Sequence, residues 1–195
     1  MSPGRPIEFD REQAIEDAME VFWRQGFEAT SLADLLAAMK LSKSSFYHAF
    51  GSKQQLFETC LAHFRRRQTI RMTEALAAAP SALAFLRRML RGVAHEARGE
   101  RCPKGCLIMN SATEFAGRDP AIARLVALGV GDFSGVFRAA IRRAQREGDV
   151  PASRSAETLA RYVVSTISGL KTMLKAGASP RTIERIAEVA LGALR

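Results

Sequence analysis

The feature that most constrains this chain is its punctuation between Gly26 and Lys53, where helix stops and helix starts follow one another at short intervals. Gly26 ends one amphipathic segment and Thr30-Ser31 opens a second, with Asp34 at its third helical position. Lys40-Leu41 then turns the chain, Ser42 caps a third segment ending near Phe50, and Gly51-Ser52 starts a fourth. Glycine accepts the left-handed backbone just past a helix end, and a serine or threonine oxygen accepts the N–H groups left free in a first turn. The second and third segments are therefore helices of about two turns, too short to persist alone. Upstream, Asp10 with Gln13 predicts a capping box, and Ile15, Ala18, Met19 and Phe22 predict a longer supporting helix. Leu32, Leu35, Leu36 and Met39 form the buried stripe of the second helix. Two short helices joined by a tight turn behind a longer one make the helix-turn-helix arrangement, whose second helix enters the major groove of DNA.

The third helix has the residue types that this role requires. Phe46, Ala49 and Phe50 fall on one side at helical spacing, leaving Ser44, Ser45, Tyr47 and His48 on the other with Lys43 at the margin. Directly after it, Ser52 caps a helix whose first residue is Lys53, so free backbone N–H groups and an ammonium converge where a phosphate binds. Bulk charge is weaker support. The chain carries a formal charge of +9, but residues 1–70 hold nine Lys/Arg against nine Asp/Glu, so the excess lies in residues 71–195. What favours DNA is local: no acid occurs between Asp34 and Glu58, while Lys40, Lys43 and Lys53 all fall in that window. Taken singly, each of these residues equally suits a solvated helix face; the joint pattern carries the reading.

Through Gly26-Phe27-Glu28-Ala29-Thr30-Ser31, Leu41-Ser42-Lys43-Ser44-Ser45-Phe46-Tyr47-His48-Ala49-Phe50 and Ser52-Lys53-Gln54-Gln55-Leu56-Phe57, the sequence resembles the tetracycline-repressor (TetR) family over roughly residues 10–57. The resemblance implies a three-helix DNA-binding domain on a larger helical ligand-binding and dimerisation domain, acting as a repressor released from its operator by a small molecule. It implies that Tyr47 and Lys53 contact phosphates, that Thr30 makes a further backbone contact, and that Lys43, Ser44, Ser45 and His48 face the groove. Two positions depart from the family pattern. Lys40 stands where a turn glycine is usual and must take a strained or left-handed conformation at about 1 kcal/mol; Ser44 replaces another glycine and suits a helix better. Gly105-Cys106-Leu107-Ile108-Met109-Asn110, Arg118-Asp119-Pro120 and Gly148-Asp149-Val150 resemble one broad branch of the family, which carries many ligands and so names none.

Helical periodicity continues through the rest of the chain, giving an all-α fold. The fourth helix is expected to run to Ala79, where Pro80 stops it. Further helices are expected to about Arg98, through Asn110, from Asp119-Pro120 to Gly148, from Ser155 to near Gly177, and from Ser179-Pro180 onward. The organisation read from this is a tail at 1–9, a helix-turn-helix domain at 10–57, and a ligand-sensing and dimerisation domain at 58–195, joined by the long fourth helix. Leu159, Tyr162, Val163, Thr166, Ile167, Leu170, Met173 and Leu174, followed by Ile183, Ile186, Ala187, Ala190 and Leu194, supply apolar faces for a homodimer, with Gly169 permitting close approach; the same faces could instead complete the chain's own core. Gly129, Gly131 and Gly135 in one helix suggest the wall of a ligand cavity or ordinary close packing.

Other classes find less support. No apolar run of about 18 residues and no signal peptide stand out, so no membrane partner is expected and the cytoplasm is the expected location. Cys102 and Cys106, with Arg101 and Lys104 beside them to favour thiolate, are candidates for a redox or electrophile sensor, although Cys106 also suits a small core position. Cys60 shares a stripe with Leu56, Phe57, Leu61 and Phe64 and reads as structural. His48, His63 and His95 are scattered and no Cys/His spacing fits a metal, so no metal site and no cofactor are expected. Nucleophile-elbow, phosphate-loop, dinucleotide and metalloprotease motifs are missing, which points away from an enzyme; a cysteine nucleophile with His63 or His95 is the residual alternative. A basic DNA coater would need charge spread over the DNA-binding region, and residues 1–70 are neutral.

Overall fold

The computed structural model describes residues 9–99, 103–115 and 117–195. Among these, every regular element is an α-helix: α1 (Arg11–Gln25), α2 (Leu32–Met39), α3 (Lys43–Phe50), α4 (Lys53–Ala77), α5 (Ala82–Gly99), α6 (Leu107–Phe115), α7 (Pro120–Glu147), α8 (Ala156–Lys175) and α9 (Pro180–Gly192). The capping chemistry accounts for most boundaries. Ser31 and Asp34 exchange both contacts of a capping box, with Asp34 N–H on Ser31 Oγ at 3.1 Å and Ser31 N–H on Asp34 Oδ2 at 2.9 Å. Ser42 accepts from Ser45 N–H and Ser52 from Gln55 N–H, both at 3.1 Å. At Asp10 only half of the expected box forms. The carboxylate accepts from Glu12 and Gln13 N–H, but the Gln13 amide turns to Asp17 at 2.9 Å, because a charged acceptor one turn on outcompetes a backbone donor.

Two turns set the geometry of α3. Lys40 is left-handed, with φ 53° and ψ 40°, and is the one non-glycine residue with positive φ among the described residues. Gly51, at φ 73° and ψ −60°, occupies a region that side chains do not tolerate and swings the chain from α3 straight into α4.

Packing divides into two cores. The first holds Ile15, Met19 and Phe22 of α1, Leu35 of α2, Phe46 and Phe50 of α3, and Leu56, Phe57 and Leu61 of α4, and it continues into Leu107 and Ile108 of α6 and Ile122 of α7. The helix-turn-helix bundle is thus completed by the second half of the chain, and α4 passes unbroken across residues 57 and 58. The second core joins α5, α7, α8 and α9 around Phe85, Leu90, Phe137, Val163 and Ile183. Between them α4 ends at Ala77, two residues short of the expected stop, because Arg143 takes over its open carbonyls. The guanidinium donates to the oxygens of Leu76 at 2.9 Å and Ala79 at 3.0 Å, while Glu147 accepts from Ala82 N–H at 2.8 Å.

Three expectations need correction here. Most of the α8 and α9 residues assigned to a partner face, among them Leu159, Val163, Leu170, Leu174, Ile183 and Ala187, are buried in the chain's own core. Gly129 is there for close packing, since a Cβ would lie 3.1 Å from Ile108 Cδ1, whereas Gly131 and Gly135 face open space; none of the three lines the cavity described below. Finally, α7 contains an 18-residue window of mean hydropathy 1.3, long and apolar enough by composition to cross a membrane. In the fold it is a bundle helix: Val136, Phe137, Ala140 and Ile141 enter the second core, and Asp132 pairs with Arg65 of α4 at 3.4 Å.

Phe46 has no exposed surface and stands at the centre of the small first core. Phe46→Ala is expected to lower unfolding stability by about 3–5 kcal/mol, measured by urea denaturation, because the short helices around it cannot collapse onto the space.

Candidate functional site

The outer surface of α3 carries the side chains expected to meet DNA. Lys43, Ser44, Tyr47 and His48 are exposed, and Ser45 is half-buried with its hydroxyl 2.9 Å from that of Ser42. Neither Lys43 nor His48 has a protein partner among the described residues, so their polar atoms remain available. Tyr47 packs edge-on against Phe46 at 5.4 Å between ring centroids and is 47% exposed. Lys53, at the first position of α4, holds its ammonium 4.3 Å from the Phe27 ring centroid, a cation–π contact that fixes the charge beside the open N–H groups of that helix. Thr30 is the exception. It is 1% exposed, its hydroxyl donates to Gly26 O at 2.6 Å, and its N–H to Phe27 O at 3.3 Å. Both donors hold the α1–α2 turn together, so the expected phosphate contact is not offered by this side chain.

The surface is tied to the second half of the chain by contacts that close over long sequence separations. Glu114 of α6 accepts from the N–H of Phe27 at 3.0 Å and of Glu28 at 2.8 Å. Trp23 donates from its indole to Gly105 O at 3.3 Å, and Lys104 reaches Glu20 at 2.9 Å while its ammonium lies over the Trp23 ring. Gln54 donates to Asp119, the N-cap of α7, at 2.8 Å. On the inner side of α1, Glu16 meets His63 at 2.6 Å and also Arg67. Burial pushes the carboxyls of Glu16 and Glu20 up, but hydrogen bonds from His63 and Arg67, and from Lys104 and Arg24, outweigh it and hold both below the ordinary carboxylate value.

Beneath these ties is a cavity of about 1110 Å³ bounded by α4, α5, α7, α8 and residues 103–106, with Trp23 reaching it from α1. Phe64, Met89, Phe133 and Phe137 give it an apolar interior; Arg71, Arg88, Lys104 and Lys171 bring positive charge to its wall. Cys106 also faces it, and burial pushes that thiol up. Cys60 is fully buried in the first core, and burial pushes its thiol up as well. Cys102, the other candidate sensor residue, lies outside the described residues. Among the described residues no group of three His, Cys, Asp or Glu side chains could hold a metal ion.

Comparison with known proteins now decides the assignment. Residues 14–60 match the model of bacterial regulatory proteins of the tetR family, and residues 82–190 match the tetracyclin repressor-like C-terminal domain. The chain belongs to the tetR family. It is 28% identical over 192 residues to an HTH-type transcriptional regulator, YezE of Bacillus subtilis, covering 98% of this chain and 99% of that protein. It is 27% identical over 191 residues to the HTH-type transcriptional repressor ComR of Escherichia coli, covering 97% and 91%. Among solved structures, a cysteine-substituted form of the TetR-family regulator CifR, complexed with 26-base-pair operator DNA, superposes with a TM-score of 0.84 at 32% identity, over 98% of this chain and all of that one.

The ties between α1 and the second half of this tetR-family chain were not found by sequence reasoning. Glu114, Glu20, Trp23 and Asp119 give no local signal of the role, because their partners lie 65 to 87 residues away. Glu114→Ala removes two hydrogen bonds to a charged acceptor and is expected to lower stability by about 1.5–3 kcal/mol. It should also speed hydrogen exchange at the Phe27 and Glu28 amides specifically. Acid should loosen α1 as well. Carboxyls held low in the folded state contribute stability that is present above their unfolded pKa, and that contribution is lost as pH falls below about 4.3 through the folded values of Glu16 and Glu20.

Proposed function

We propose that this tetR-family transcriptional regulator binds a specific operator as a homodimer and releases it when a small molecule fills the cavity. The observation that carries the DNA reading is the exposed face of α3, with Lys43 and His48 unpartnered among the described residues in an acid-free window and Lys53 fixed beside it. In this reading Lys53 and Tyr47 hold phosphates and set the position, while Lys43, Ser44, Ser45 and His48 read base edges. Operator DNA in the CifR complex supports a double-stranded partner. The protein acts as a regulator rather than an enzyme, in the cytoplasm where its DNA target lies, and residues 10–57 and 58–195 divide reading from sensing and dimerisation.

The dimer rests on what the monomer leaves uncovered. Gly169 and Met173 on α8 are exposed, with Tyr162 and Thr166 on the same face, and Val189 on α9 is 74% exposed. Nothing lies within 4 Å of a Cβ at Gly169, so a second helix can approach closely there. Gly169→Arg is expected to give a monomer by light scattering and to lose operator binding, since each half-site is held by one subunit.

A second reading makes Cys106 an electrophile sensor. Its place on the cavity wall favours this, and a reactive ligand would meet the thiol there; protonation by burial opposes it. If replacing Cys102 and Cys106 with serine leaves oxidant-induced operator release unchanged, that reading fails.

Titrations across salt concentrations separate the roles on α3 and α4. Lys53→Ala should weaken binding to all sequences about equally and lower the salt slope by about one phosphate per subunit. Lys43→Ala should change which sequence is preferred, by roughly 1–3 kcal/mol at the base concerned. A Lys53→Ala protein with full affinity and an unchanged slope would show the phosphate assignment to be wrong.

A further inference from the structure

We propose that the cavity takes an amphipathic organic anion, with its acid group on Arg71 of α4 and Arg88 of α5 and its apolar body between Phe64, Met89, Phe133 and Phe137. This rests on the reading of the cavity as the effector site and adds the chemical class of the effector.

The argument is one of uncompensated charge. Among the described residues six charged side chains line the cavity: Arg71, Arg88, Lys104 and Lys171 against Glu74 and Glu96. Lys171 holds both oxygens of Glu96 at 2.7 Å, and Lys104 is committed to Glu20 and the Trp23 ring. Arg71 and Arg88 have no hydrogen bond or ion pair among the described residues, and the carboxylate of Glu74 also has none. Two guanidinium groups are therefore opposed by a single carboxylate, leaving the wall positive. Both arginines are exposed, whereas Phe64 and Phe137 are buried, so charge lies at the opening and apolar surface lies inside. A guanidinium stays charged at any working pH and presents paired donors that match a carboxylate or similar oxyanion. A cation of the same shape meets repulsion at the opening, and a neutral molecule gains only the apolar contacts.

Trp23 is the single tryptophan of the chain and lines the cavity, so its emission reports occupancy directly. Decanoate, 1-decanol and decyltrimethylammonium share one apolar body and differ in head-group charge; each is titrated at neutral pH and constant ionic strength, below its micelle concentration. The expected result is a saturable change with decanoate at roughly tenfold or greater affinity over decanol, with the ammonium weakest. In the R71M/R88M protein, which keeps the side-chain stems and whose fold is checked by circular dichroism, decanoate should bind no better than decanol while decanol is unaffected. Equal affinities, preference for the ammonium, undiminished selectivity in the double variant, or no saturable response to any probe would each overturn the proposal. Operator release is followed in the same solutions. Arginine-dependent decanoate binding with the operator still held supports the ligand class and defeats the effector reading; a neutral or cationic compound that binds the cavity and releases the operator defeats the ligand class and leaves the effector reading intact.

Discussion

Phe27 is the residue on which the arrangement of the molecule turns. It follows the stop of α1 at Gly26, and its ring lies 6.1 Å from Phe22 of α1, 5.1 Å from Phe57 of α4 and 5.3 Å from Phe115 of α6. Its N–H is held by Glu114, and the Lys53 ammonium rests on its face. Aromatic pairs of this kind are worth about 0.5–1.5 kcal/mol each beyond the area they bury. Their consequence for function is geometric. The side chain on which the Lys53 ammonium rests is packed against the helix that carries Glu114, and a close-packed cluster does not deform smoothly. A shift of α6 relative to α1 must move Phe27, and Lys53 with it.

The same economy explains why a DNA-binding region with no net charge still presents a positive surface. Part of its acidic complement is engaged within the fold, away from α3. Asp10 and Asp34 cap helices, Glu16 meets His63 and Arg67, and Glu20 meets Arg24 and Lys104. Among the described residues Lys43 has no such partner, and Lys53 rests on a ring that does not neutralise its charge. Summed charge over residues 1–70 hid this, because pairing across the fold removes acids from the accounting at the surface that matters.

What was legible in the sequence is what local chemistry decides. Ser31 with Asp34, Ser42, Ser52, Asp119-Pro120 and Gly148 bound helices as read, and Lys40 takes the left-handed conformation its position demanded. The outward set on α3 is exposed and Phe46 and Phe50 are buried, as their spacing implied. The failures share one physical cause. Gln13 prefers Asp17, Thr30 turns inward to Gly26, and the α8 and α9 stripes are consumed by the chain's own core, each because of a competing partner that residue type and periodicity do not reveal. The cavity was anticipated in the second half of the chain, but from glycines that do not line it; aromatic and methionine side chains from four helices do.

That cavity is joined to the N-terminal helices along α4 and again through residues 103–106. Residues 103–106 form part of the cavity wall, and within them Lys104 holds Glu20 while Gly105 O accepts from Trp23, itself a wall residue. On the proposed reading, a ligand alters operator affinity only to the extent that it binds the two arrangements of this segment differently; tight binding alone shifts nothing. Lys104 is where such a difference arises. Its side chain is partly buried and rests on the Trp23 ring, so an apolar ligand body that displaces that ring also draws Lys104 from Glu20. That change weakens the hold on α1 while leaving Glu114 on the α1–α2 turn. Glu20 and Trp23 lie 4 to 8 residues before Phe27 and Glu28, and their partners on the other side belong to different segments, so loosening the first attachment leaves the second in place. Linkage then requires the reverse effect: DNA that holds the two reading helices of a dimer in register also holds α1 against residues 104 and 105, and so reduces the affinity of the cavity for its ligand by the same factor.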